Sequence, residues 1–68
     1  MKFIEYWIYK VDGDLWTEQG QDWRMIRRLA EECKQGMHPD IEGIDRVERS
    51  TTDSDYAEYE TLYKAVMD

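Results

Sequence analysis

At 68 residues with one cysteine and one histidine, the chain has room for a single domain and no means of stapling it by an internal disulfide or a Cys/His metal site. Its net charge is −7, and eight of its sixteen acids fall within residues 40–60. Only Arg46 and Arg49 oppose them there, so this segment alone carries −6; such a field repels phosphate and attracts basic partners.

A chain this short buries only about 60% of its unfolded surface. Its nine aromatic residues, each able to bury ~150–250 Å², are the available compensation, with self-association as the other remedy. The first six residues, Met1-Lys2-Phe3-Ile4-Glu5-Tyr6, carry an acid inside their apolar run and lack a small-residue cleavage site. They do not read as a signal peptide, and with a lone cysteine the expected location is the cytoplasm. No apolar run approaches the ~20 residues of a membrane span.

Residues 2–11 are rich in β-branched and aromatic types and predict a strand. Alternation places Ile4, Tyr6 and Ile8 on one face and Phe3, Trp7, Tyr9 and Val11 on the other. Both faces are apolar, which suits a strand covered on two sides or one with an adhesive outer face. Asp12-Gly13-Asp14 is a turn signal, and Leu15-Trp16-Thr17 is a candidate short returning strand.

Asp22 is the expected N-cap of a helix running to about Gln35. Met25, Ile26, Leu29, Ala30 and Cys33 share its apolar face, with Trp23 at the margin, opposite Arg24, Arg27, Arg28, Glu31 and Lys34. Met25, Ile26, Leu29 and Cys33 are expected to pack on Ile4, Tyr6 and Ile8. Arg27 with Glu31 and Arg28 with Glu32 are candidate i,i+4 pairs. Gly36 fits the left-handed position after the helix, and Pro39 follows as a stop.

Ile41 to Ser50 predicts a strand with few apolar anchors, an edge protected by charge. Thr51-Thr52-Asp53-Ser54-Asp55 is a polar loop. Residues 56–67 fit two patterns. A helix stacks Tyr56, Tyr59, Leu62, Tyr63, Val66 and Met67, with Asp55 and Glu58 as a capping-box-like start and Glu60 paired with Lys64. A strand instead collects Ala57, Tyr59, Thr61, Tyr63, Ala65 and Met67 on one face. The capping pattern favours the helix. The expected fold is α+β: a two- or three-stranded antiparallel sheet with one or two helices packed on one face.

Chemistry-bearing residues are sparse. Cys33 lies on the apolar helix face, where a thiol acts as a small hydrophobe, and His38 sits in a loop with nothing to make a nucleophile of either. The many carboxylates sit in polar surroundings and lack the burial that raises a catalytic pKa. Asp12-Gly13-Asp14 and Asp53-Ser54-Asp55 with Glu58 offer hard oxygen ligands but depart from the EF-hand spacing, and read as a turn and a helix cap. Arg24, Arg27, Arg28 and Lys34 share their helix with three acids, which argues against direct nucleic-acid binding. No cofactor motif is present.

The acidic segment remains. At ~3.3 Å per residue along an extended chain, Asp45, Glu48, Asp53 and Asp55 form a row of negative charge. It is sparser than the one charge per ~1.7 Å of duplex DNA but similar in character. In size, acidity, spare α+β layout and the segment 40–60, the chain resembles the small acidic phage proteins that include anti-CRISPR and host-takeover inhibitors. That resemblance is one of type and carries no residue roles. It implies a non-enzymatic, nucleic-acid-mimicking inhibitor that occupies the basic, nucleic-acid-binding surface of a partner protein in the host cytoplasm. Asp45, Glu48, Asp53, Asp55, Glu58 and Glu60 are the candidate contacts. The alternative is a small structural or regulatory subunit that associates, as a homodimer among other forms, through the aromatics of the first strand.

Overall fold

The structure, a computed structural model, describes residues 1–65. Strand β1 (Lys2–Lys10) turns into β2 (Leu15–Gln19); a single 3₁₀ turn (Gly20–Asp22) leads into helix α1 (Trp23–Lys34); β3 (Ile41–Ser50) and β4 (Ala57–Lys64) follow. The four strands form one antiparallel sheet in the order β2-β1-β3-β4. The fold is α+β as expected, but with one strand more and a single α-helix among the described residues.

Local signals shape the first half. The Asp12 carboxylate accepts the Asp14 N–H in the β1–β2 turn, and the returning strand extends from Leu15 to Gln19. Asp22 flanks α1 without bonding to it through its side chain; the 3₁₀ turn leads the chain into the helix instead. At the other end Gly36 adopts φ +80, where its N–H reaches the Cys33 carbonyl and the Met37 N–H reaches that of Glu32. These two bonds satisfy carbonyls that the helix leaves open, and glycine adopts the left-handed backbone without a Cβ penalty.

The core lies between α1 and one sheet face. Tyr6, Ile8, Ile41 and Ile44 from the sheet meet Ile26, Ala30 and Cys33 from the helix, with Ile4, Leu29, Leu62 and Tyr63 around them. Ile26, Ala30 and Cys33, spaced i, i+4, i+7, form the line that faces the sheet. Met25 does not join it and stands 53% exposed. It heads a flanking row with Leu29, beside Trp16 of the short β2.

Two expectations for the second half are overturned. Residues 57–64 form β4 rather than a helix. A helix there would leave the outer N–H and C=O groups of β3 without a ladder, whereas β4 pairs along β3 from Gly43 to Arg49. The proposed Glu60–Lys64 pairing goes with the helix, because residues four apart on a strand are about 13 Å apart. Strand β3 is accordingly central and not an edge. Its anchors serve both faces: Ile41 and Ile44 point to the helix, while Val47 is fully buried on the reverse side.

Irregular pairing sets which residues share a face. Tyr9 stands opposite Gly43 but Lys10 opposite Ile41, so Glu42 is an extra residue that brings Ile41 to the helix side. Thr61 stands opposite Asp45 but Tyr63 opposite Ile44, so Leu62 is extra and the strand's facing changes there. Hence Ala57, Tyr59 and Thr61 share the open face as the strand pattern implies, and Tyr63 joins Leu62 against the core. Val66 and Met67 lie outside the described residues.

Candidate interaction surface

Of the eight acids of residues 40–60, Asp40 pairs with Lys10 at 2.6 Å and Glu42 is the extra residue of β3, while the six candidate contacts separate into three groups. On the helix side, beyond the end of α1, Glu58 stands directly opposite Glu48, and Glu60 opposite Arg46. Tyr56 donates its hydroxyl proton to Glu48 at 2.8 Å, which pushes the phenol's pKa up, and the Lys2 ammonium lies 4.5 Å from the Tyr56 ring centre. Contact with Tyr56, reinforced by Glu48 and Glu58, raises the Lys2 pKa. Asp53 and Asp55 occupy the exposed tip, where Asp53 accepts the Asp55 N–H and the Ser50 hydroxyl accepts the N–H groups of Thr52 and Asp53. Asp45 is on the opposite face of the sheet, so the expected single row is not formed. Residues 45 and 48 are an odd number apart on a strand and must face opposite ways.

Among the described residues no helix lies over that opposite face. Phe3, Glu5, Trp7 and Tyr9 of β1 share it with Asp45, Val47 and Arg49 of β3 and Tyr59 of β4. The Trp7 and Tyr59 rings meet edge to face with centroids 5.6 Å apart, and Val47 beneath this layer has no exposure. Each carboxylate is held by an aromatic donor. The Trp7 indole N–H reaches Glu5 at 3.0 Å and the Tyr9 hydroxyl reaches Asp45 at 3.1 Å. Burial, followed by the bond to Asp45, raises the Tyr9 pKa. Tyr59 is nevertheless 58% exposed. The apolar second face of β1 indicates this surface in the sequence; Val47, Tyr59 and Asp45 join it only through strand pairing.

On the helix, Arg28 pairs with Glu32 at 3.6 Å as expected, but Glu31 takes Lys34 rather than Arg27. Arg27 and Arg24 lie against the Trp23 ring at 5.8 and 5.1 Å. His38 is bonded to Glu32, which lowers that carboxyl's pKa. Cys33 is 3% exposed, and burial, reinforced by Asp40 and Glu32, raises its thiol pKa. Since the thiolate is the reactive form, Cys33 should react with Ellman's reagent at least tenfold more slowly in the native protein than in urea-unfolded chain. Equal rates would show that α1 does not seal this site.

Among the described residues no three His, Cys, Asp or Glu side chains converge as a metal-holding group, and no helix is long and apolar enough to cross a membrane. The chain matches no family model, no curated protein and no solved structure.

Proposed function

We propose that this protein acts without catalysis, by binding another protein in the cytoplasm, and that its acidic β3–β4 hairpin occupies a basic surface which otherwise binds nucleic acid. The observation that carries this reading is the register of the hairpin. Glu58 directly faces Glu48, with Glu60 two pairs on, opposite Arg46, and Asp53 and Asp55 at the tip. Like charges in directly opposed positions destabilise a strand pair. Among the described residues none of Asp53, Asp55, Glu58 and Glu60 forms an ion pair. A cationic partner would relieve this repulsion and be steered to the hairpin at low ionic strength. Nucleic acid itself is disfavoured by the net charge of −7.

Capture from the source cell with immobilised protein, with and without nuclease, identifies the partner. The variant Asp53→Asn/Asp55→Asn/Glu58→Gln/Glu60→Gln should stay folded and bind at least tenfold more weakly, since each charge-assisted contact is worth roughly 1.5–3 kcal/mol. The difference should shrink as salt rises. Equal affinities at low salt would overturn the electrostatic reading.

A second reading is favoured by a different observation: the aromatic sheet face lies uncovered. Association through Phe3, Trp7 and Tyr9, with a second copy or another chain, would persist at high salt.

A further inference from the structure

The charges on the uncovered sheet face are ordered along the strands. Arg49 lies toward one end, Glu5 and Asp45 occupy the middle, and at the other end Lys64, opposite Gly43, shares the lining of one cavity with Glu42. Two carboxylates therefore sit at the centre, among the rings of Trp7, Tyr9 and Tyr59. Each accepts one neutral donor, and neither forms an ion pair among the described residues. A shallow cavity of about 310 Å³ opens beside Asp45, with Tyr9, Glu42, Thr61 and Lys64 in its lining.

This pattern discriminates between occupants. A second copy laid across the face with its strands aligned, either way round, sets the central carboxylates against one another. Single-stranded nucleic acid could stack bases on the rings but would bring phosphate to the same carboxylates. The complementary surface is a central cation with no further positive charge toward Arg49. A guanidinium suits it better than an ammonium, because it is planar, stacks on aromatic faces and presents several donors to a carboxylate. Four strands about 4.8 Å apart and eight residues at ~3.3 Å give a footprint on the order of 500 Å², at the lower end for a specific interface.

We infer that the uncovered sheet face is an arginine-accepting docking site, where Glu5 and Asp45 receive the guanidinium of a partner segment while Trp7, Tyr9 and Tyr59 hold its apolar flanks. The inference rests on the reading that the partner is a basic protein, and adds a second contact to the hairpin.

The test uses the whole protein and a ten-residue peptide with one central arginine between valines, titrated to millimolar concentration and followed by the Trp7 indole N–H resonance. The expected result is a saturable shift of that resonance. Affinity should fall at least tenfold when citrulline, a neutral near-isostere, replaces the arginine. It should fall similarly in Glu5→Gln/Asp45→Asn, whose side chains still accept the Trp7 and Tyr9 hydrogen bonds. The quadruple hairpin variant should bind the peptide within about twofold of wild type, which separates this site from the hairpin. The inference is overturned if Trp7 does not shift, if the citrulline peptide binds equally, or if only the hairpin variant loses affinity. A ten-residue oligothymidine that shifts Trp7 at lower concentration than the peptide would assign the face to nucleic acid. A shift on raising protein concentration alone would assign it to a second copy.

Discussion

Ile26→Ala should remove most of the stability of this protein. Ile26 is fully buried at the head of the line that α1 presents to the sheet, in one core cluster with Tyr6, Ile8 and Ile44. Truncation to alanine forfeits the transfer of three carbons from water and leaves a cavity that the sheet and helix cannot close without moving together. Such substitutions cost ~2–5 kcal/mol. At ~0.05–0.15 kcal/mol per residue, a domain of this size has roughly 3–10 kcal/mol to lose. The expected fall in Tm, followed by circular dichroism, is on the order of 10–30 °C. Met25→Ala, one residue away but on the exposed flank, is the control and should stay within about 0.5 kcal/mol of wild type. Equal losses at the two positions would mean that α1 is rotated about its axis relative to the packing described.

Gly20→Ala should destabilise for a different reason. The 3₁₀ turn brings Gly20 against β1 so closely that a Cβ there would lie 2.9 Å from the Ile4 carbonyl oxygen and 3.0 Å from the Ile4 Cβ. Neither neighbour is the end of a flexible side chain, so relief requires the turn and β1 to move apart. Replacing glycine also narrows the unfolded ensemble, a gain of ~0.4–1 kcal/mol where the native backbone accepts alanine. Overpacking against rigid neighbours costs ~1–3 kcal/mol, which exceeds that gain. The urea midpoint should therefore fall. A midpoint that rises would show that the turn has room to spare and that Gly20 is not what sets its distance from β1.

Elements whose causes are local were legible in the residues alone. The strand at 2–11, the Asp12-Gly13-Asp14 turn, the helix with its stop at Gly36 and the strand Ile41–Ser50 follow from alternation, helical spacing and the backbone preferences of glycine. Tertiary structure decided the rest. Residues 57–64 carry both a helical stripe and a strand alternation, and pairing with the free edge of β3 selects the strand. That choice makes β3 central and lets Val47, an isolated valine among charges in the sequence, become a fully buried anchor of the reverse face. The extra residues Glu42 and Leu62 then assign Ile41 and Tyr63 to the helix side, which alternation counted along each strand does not reveal. The charge of residues 40–60 belongs to the sequence. Its division between a hairpin that opposes Glu48 to Glu58 and a sheet face that sets Asp45 among aromatic rings depends on register, and register is made between strands distant in the chain.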